Sequence, residues 1–282
     1  MAAHDLIHKI TARITPVLGV LAPSYAERIL LSLFRCSRAD LYLERNLDAG
    51  PTELAAVDGI VNRLLNDEPL DYILGTAYFY NREFEVNPSV LLPRPDTETL
   101  VGAVLDSEKS GSLLLADMGT GSGIIACILA EERPRWRAVA IDISPAALSV
   151  ARRNLRSSGI ALLCADFFSP VKTEVRFDVI VSNPPYIPSA EIERLDRSVR
   201  MFEPHGALDG GRDGLDFYRR LADSAPAVLK PGGRLYCEIG YDQKESVMKL
   251  FSEREWTGAR CMRDLAGHSR VISVYLRGGS NQ

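Results

Sequence analysis

The chain has 282 residues, 46% apolar and 25% charged, which is ample material for one large domain or for a main domain with a smaller companion. A net charge of −4 excludes the polybasic character that drives non-specific nucleic-acid binding. Five scattered cysteines without a C-x-x-C pair exclude a disulfide framework, and the four histidines (His4, His8, His205, His268) show no metal-ligand spacing, so no metal is expected.

Met1 to Lys9 carries Asp5 and two histidines and lacks an apolar signal core. No stretch is read as approaching the roughly 20 apolar residues of a membrane span. A cytoplasmic protein without membrane contact is therefore expected. From Asp5 to about Leu74, apolar residues recur at helical spacing, as in Ile7, Ile10 and Ile14, with breaks expected at Pro16, Pro23, Gly50-Pro51 and Pro69. Thr52 and Glu53 after Pro51 read as a helix start, with Leu54, Val57, Ile60, Val61, Leu64 and Leu65 on one stripe. Residues 1–74 thus read as a small helical bundle. Its seven basic and ten acidic residues suit docking to another protein and a solvated surface equally well.

Between Gly75 and Leu92 the pattern changes to that of a hairpin, with Tyr78-Phe79-Tyr80 and Phe84-Glu85-Val86 flanking Asn81-Arg82. The segment Pro93-Arg94-Pro95-Asp96-Thr97-Glu98 follows. It reads as a capped helix start, with Asp96 or Thr97 as the cap and Glu98 in the first turn, where the macrodipole favours an acid.

Next, Leu113 to Asp117 is a short apolar strand that runs into Gly119-Thr120-Gly121-Ser122-Gly123 and the apolar helix from Ile124 to Ala130. Closely spaced glycines between strand and helix let the backbone approach a ligand and point N–H groups at it. A second strand, Ala138 to Ile141, ends at Asp142, an acid placed to bind ribose hydroxyls. Two ligands compete. Gly121-x-Gly123-x-x-Ala126 fits a dinucleotide loop, whereas Asp117 suits a cationic amino-acid portion such as that of S-adenosylmethionine and sits poorly beside a pyrophosphate. S-adenosylmethionine is favoured. A third strand near Ile160 to Cys164 leads to Asp166-Phe167, an acid and an aromatic suited to the edge and face of an adenine.

The fourth strand, Phe177 to Val181, delivers Asn183-Pro184-Pro185-Tyr186 at its carboxyl end, where open parallel sheets bind ligands. Taken alone, the tetrapeptide is a stiff turn. Beside the glycine loop it has chemistry available. The Asn183 side-chain oxygen and the Pro184 carbonyl can accept the two N–H groups of a planar, poorly nucleophilic nitrogen, and Tyr186 can lie against its plane. The long segment from Pro188 to Asp213 is a candidate cover for the site.

In this setting Asn-Pro-Pro-Tyr resembles the methyltransferases that modify planar nitrogens. Together with Phe79-Tyr80 to Pro88, Leu92 to Glu98, Asp117 to Gly123, Asp142 to Pro145, Phe202-Glu203-Pro204, Ala207 to Gly211, Gly214 to Tyr218 and Asp264 to His268, the chain is similar to the HemK/PrmC family of peptide chain release factor glutamine methyltransferases. The resemblance covers about residue 70 onward. It implies an α/β fold of the class I S-adenosylmethionine-dependent methyltransferases (Rossmann-like, seven-stranded, mostly parallel), preceded by a small all-helical domain. The implied organisation is a helical bundle over 1–74 that docks the release factor, a hairpin linker over 75–92 and the methyltransferase domain over 93–282. The implied activity is methylation of the glutamine side-chain nitrogen in the Gly-Gly-Gln motif of class I release factors, by a monomer that needs no nucleic acid. Cofactor contacts are implied at Asp117, Gly119, Thr120, Gly121, Ser122, Gly123, Asp142, Asp166, Phe167 and Asn183. Substrate contacts are implied at Asn183, Pro184, Pro185 and Tyr186, with Asn183, Pro184 and Tyr186 carrying catalysis. The position after Asp166 is often tryptophan in relatives, so Phe167 stacks without an indole donor. The alternatives are a glutamine methyltransferase of a ribosomal protein, an adenine-N6 DNA methyltransferase and, from another class, an NAD(P)-binding oxidoreductase.

Overall fold

The computed structural model describes residues 1–43, 47–108, 111–156, 158–169, 175–252 and 255–278. The chain forms two compact units, Met1–Thr76 and Ala77–Gln282.

Among its described residues the first unit contains five α-helices, α1 (Ala3–Leu18), α2 (Ala22–Phe34), α3 (Arg38–Tyr42), α4 (Pro51–Leu65) and α5 (Leu70–Leu74). Their apolar stripes meet in a core that includes Ile10, Ile14, Ile29, Leu30, Leu41, Val57 and Val61. Pro16 does not break the chain as its residue type suggests. It stands in the last turn of α1, and the helix ends at Gly19, which takes a φ of 51°. At the start of α4 the Glu53 carboxylate accepts the Gly50 N–H at 2.9 Å, half of a capping box. One expectation is corrected. The stretch His4–Phe34, 31 residues with a mean hydropathy of 1.4, is long and apolar enough by composition to cross a membrane. In the fold it is two helices separated by the 3-10 turn Gly19–Leu21, and its residues Leu6, Ile10, Ile14, Ile29 and Leu30 lie in the core of the bundle.

In the second unit, strands β1 (Thr76–Phe79) and β2 (Arg82–Glu85) form a hairpin. Its turn residues Tyr80 and Asn81 take positive φ (52° and 58°), as a two-residue type I′ turn requires. The hairpin is pinned within this unit. The Tyr80 N–H donates to Glu98 at 3.0 Å, and the Asn154 side chain exchanges bonds of 2.8 and 3.0 Å with the Glu85 backbone.

The main sheet has the order β5-β4-β3-β6-β7-β9-β8, built from β3 (Leu114–Met118), β4 (Arg137–Asp142), β5 (Ala161–Cys164), β6 (Phe177–Ser182), β7 (Leu229–Glu238), β8 (Trp256–Arg263) and β9 (Ser269–Leu276). The first five pair in parallel, and β9 runs antiparallel to both of its neighbours. Helices α6 (Thr97–Ser107), α7 (Ile124–Glu132), α8 (Pro145–Asn154), α9 (Arg197–Phe202), α10 (Asp216–Ser224) and α11 (Lys244–Leu250) complete the unit. Alternate strand residues enter two cores, Ile180, Leu235 and Ile272 one, Val179, Tyr236 and Val271 the other, as a sheet covered on both faces demands. This is the seven-stranded, mostly parallel sheet that the resemblance implies. Strand order reverses between β3 and β6, so a ligand crevice is expected beyond their carboxyl ends.

Two local features of the sheet have plain causes. The segment Lys230 to Gly233 lies inside β7, where the register jumps from the pair Phe177–Leu229 to the pair Val179–Arg234. Strand β8 has no apolar run to announce it, because only Trp256 in it is buried and Gly258, Arg260 and Arg263 interrupt the pattern.

Candidate functional site

At the reversal point lies a cavity of about 670 Å³. The glycine loop after β3, Asp142 at the end of β4, Asp166-Phe167 after β5 and Asn183 after β6 all reach it. A second cavity of about 170 Å³ is lined by Pro184, Tyr186, Ile187, Leu195, Val199 and Leu208. Leu91, Arg94, Asn183 and Ala207 line both cavities.

The glycine loop differs from expectation in what its N–H groups do. Gly119 and Thr120 both donate to the Ile141 carbonyl (2.9 and 3.0 Å), Gly121 donates to Asp142 at 2.9 Å and Gly123 to the Thr120 carbonyl at 2.8 Å. These donors are consumed inside the protein, so the loop is not the free N–H cradle that a pyrophosphate requires. Glycine is needed for the path itself, since Gly119, Gly121 and Gly123 all take positive φ. A side chain at Gly123 would also meet Leu155 and Ala151 at 3.1–3.2 Å, so this glycine serves helix packing and does not line the cavity. Asp142 does line it. Its two carboxylate oxygens are aimed by the N–H groups of Gly121 and Ser144, each at 2.9 Å, which leaves lone pairs for ligand hydroxyls.

Asp117 stands apart from the cavity wall. It is fully buried, and its Oδ2 accepts from the Thr120 hydroxyl (2.6 Å) and the Ala126 N–H (3.2 Å). Its Oδ1 has no hydrogen-bond partner among the described residues, and burial pushes the carboxyl up to about 7 against the bonds to Oδ2. In this position it ties the loop to α7 and has no contact with the cavity.

Asp166 and Phe167 reach the cavity but are already engaged. Arg220 of α10 forms an ion pair with Asp166 at 2.6 Å and lays its guanidinium 3.9 Å from the centre of the Phe167 ring. Phe217 packs on the same ring at 4.4 Å, and Phe167 holds a φ of 55°, unusual for a side-chain-bearing residue. Arg220 and Phe217 are cavity residues that sequence reasoning missed. Both sit in the helix after the Gly210-Gly211 turn, where a bland amphipathic pattern hides them.

The Asn183-Pro184-Pro185-Tyr186 loop is braced by the segment that follows it. Ile187 and Leu208 to Gly210 form a short parallel bridge, with N–H bonds of 3.0 and 2.9 Å. The Gln243 side chain donates to the Tyr186 carbonyl at 2.9 Å. Gly210 and Gly214 allow this contact, for a Cβ on Gly210 would lie 2.8 Å from the Tyr186 Cα, and one on Gly214 would lie 2.3 Å from the Tyr186 carbonyl oxygen. Burial raises the Tyr186 phenol to about 12, with the Glu238 carboxylate adding to the shift, so the hydroxyl stays neutral near pH 7.

The segment Pro93 to Glu98 is not the capped helix start its composition suggests. Asp96, at the N-cap position of α6, makes no side-chain capping bond. Asp96 pairs with Arg270 at 2.9 Å, Glu98 accepts from Tyr80, and Arg94 pairs with the buried Glu203. Thr97, 2% exposed, accepts a 3.1 Å hydrogen bond from the Asn183 amide nitrogen.

Two family models match the chain, the methyltransferase small domain over residues 96–204 and the PrmC N-terminal domain over residues 20–75. A release factor glutamine methyltransferase of Geobacter sulfurreducens is 43% identical over 248 residues, 87% of either chain. That of Koribacter versatilis is 41% identical over 252 residues, 88% of this chain and 89% of the relative. The fold is shared by a solved 16S rRNA methyltransferase of T. thermophilus in complex with AdoMet and guanosine, at a TM-score of 0.51 and 20% identity over 72% of this chain and 50% of that one.

Proposed function

The chain belongs to the release factor glutamine methyltransferases, and from that premise we propose that it methylates the side-chain amide nitrogen of the glutamine in the Gly-Gly-Gln motif of class I release factors, using S-adenosylmethionine. The observation that carries the assignment is the position of Asn183 on the wall common to two adjoining cavities. The larger one suits the methyl donor and the smaller one the substrate amide. The larger cavity fits S-adenosylmethionine better than a dinucleotide, because the glycine loop has spent its N–H groups internally while the aimed Asp142 carboxylate remains available to a ribose. Bound there, the cofactor supplies an electrophilic methyl group on a sulfonium centre.

The protein's own residues supply orientation. The Asn183 side-chain oxygen and the Pro184 carbonyl accept the two N–H groups of the substrate amide and hold its nitrogen toward the larger cavity. Pro184 and Pro185 keep those acceptors from relaxing, and the braces from Gln243 and Gly210 hold the loop. Tyr186, neutral and half-buried, packs against the amide plane. Asp166 and Phe167 serve the adenine end, with Arg220 as part of that wall. Asp117 acts indirectly by holding the glycine loop. The first unit docks the release factor, and the enzyme works as a cytoplasmic monomer.

Incubation with methyl-labelled S-adenosylmethionine and a class I release factor, followed by peptide mass spectrometry, tests the assignment. The expected result is label on the Gly-Gly-Gln glutamine that disappears when this residue is changed. Label on ribosomal protein or DNA, with none on the release factor, would contradict it.

A further inference from the structure

Asn183 must present an oxygen, not an NH2 group, to a substrate N–H. A side-chain amide has one of each, and the two are related by a simple flip. Something in the protein therefore has to choose between them. The carboxyl end of β7 lies beside that of β6, where Ser182 pairs with Cys237, so Glu238 stands one step further on, alongside Asn183. Glu238 is 1% exposed, and its Oε2 has no hydrogen-bond partner among the described residues. Thr97 accepts the 3.1 Å bond from the Asn183 nitrogen, and its hydroxyl favours the ionised form of the neighbouring Glu238 carboxyl against the effect of burial.

We infer that Thr97 and Glu238 are positioning residues which lock the Asn183 carboxamide with its oxygen toward the substrate, an inference that rests on the amide-orienting role proposed for Asn183. The selection follows from donor counting. A threonine hydroxyl has a single proton, and an ionised carboxylate can only accept. The proton of Thr97 therefore goes to Glu238, and Thr97 can only accept on its other side. The amide group facing it must be NH2. The Asn183 oxygen is left pointing away from Thr97, and it accepts no hydrogen bond among the described residues. Burying a carboxylate costs free energy, so Glu238 is an expensive residue to use for packing alone. Its place two hydrogen bonds from the Asn183 carboxamide gives that expense a purpose.

The relay predicts a defined pattern in variants. Thr97→Val keeps the shape of the side chain but removes the hydroxyl. It should lower kcat for release-factor methylation by about tenfold to a hundredfold, the scale of a misplaced reactive group, while changing the Kd for S-adenosylmethionine by less than about threefold, well under one hydrogen bond's worth. Thr97→Ser should recover most of the lost rate, which a purely steric role would not predict. Glu238→Gln should also lower kcat. A readout independent of the substrate is the side-chain amide resonance of Asn183 in the 15N-labelled protein, assigned by its loss in Asn183→Ala. In the wild type it should exchange slowly with solvent, and in Thr97→Val quickly. Slow exchange without release-factor methylation would keep the relay and reject the substrate assignment. Equal exchange in the two proteins, or full kcat in Thr97→Val, would overturn the relay.

Discussion

The Asn183 amide nitrogen lies 3.1 Å from the Thr97 hydroxyl oxygen, joining two residues that are 86 positions apart in the chain. The bond ties the loop after β6 to the first residue of α6, and it brings a helix-start threonine to the proposed reactive site. Its surroundings carry a titratable group. Glu238 faces Thr97 and Asp96 of the α6 start, Arg94 before it, Tyr186 of the loop, Arg270 on β9, Tyr218 on α10 and its own neighbour Cys237. Burial lifts its carboxyl to about 7, opposed by the Thr97 hydrogen bond and then by Arg270.

Activity should therefore depend on pH through Glu238. Above its pKa the carboxylate accepts only and enforces the amide orientation; below it the acid can donate to Thr97 and the selection is lost. We expect kcat to fall as pH drops through about 7 and the corresponding inflection to vanish in Glu238→Gln. A pH–kcat profile that is the same in both proteins would contradict this.

Asp117 makes a prediction about stability. Its native carboxyl, raised from 3.8 to about 7, holds a proton that the unfolded chain has released. Over that interval the native state binds more protons than the unfolded state, so this group's contribution is favourable at low pH and is lost as pH rises toward 7 and beyond. The effect is at most about 4 kcal/mol, from roughly 1.4 kcal/mol per pKa unit. Thermal melts of the wild type and Asp117→Asn between pH 5 and 8 should show the smaller loss of stability in the variant. Parallel curves would exclude a buried, titrating Asp117.

Asp142→Ala should weaken S-adenosylmethionine binding by about tenfold or more, because it removes both the proposed ribose acceptor and the group that fixes the N–H of Gly121 and Ser144, each hydrogen bond to a charged group being worth about 1.5–3 kcal/mol. Calorimetric titration of cofactor into the variant measures it. Unchanged affinity would place the ribose elsewhere.

Gly210→Ala tests the brace on the tetrapeptide. Its new methyl would press on the Tyr186 Cα, the Gly214 Cα and the Pro185 carbonyl at 2.8–2.9 Å, all of them backbone atoms that cannot swing aside. Overpacking of this kind costs about 1–3 kcal/mol. We expect a lower melting temperature and a fall in kcat that exceeds any change in cofactor affinity. A variant with wild-type kcat would show that the loop does not need this support.

Much of the sheet was legible because buried parallel strands are short apolar runs ended by glycine, aspartate or proline, as in Leu114–Met118, Arg137–Asp142 and Phe177–Ser182. The edge strand Trp256–Arg263 was not, since its exposed, charged face imitates a loop. The candidate ligand residues on the strand ends were equally legible, for Asp142, Asp166 and Asn183 all reach the cavity. Local pattern failed where a side chain has a distant partner. Thr97 and Asp96 satisfy every rule for a helix cap, yet they bond to Asn183 and Arg270. Asp117 reads as a ligand for a cationic group, yet it faces Thr120 and Ala126. In each case the residue type announces hydrogen-bonding capacity, and only the tertiary fold decides which partner takes it.

The most direct measurement of the central claim compares Asn183→Ala with the wild type, using kcat for methylation of a class I release factor and the Kd for S-adenosylmethionine. If Asn183 orients the substrate amide at the junction of the two cavities, kcat falls by about a hundredfold or more while Kd changes by less than about threefold. Turnover close to that of the wild type in Asn183→Ala would contradict the account.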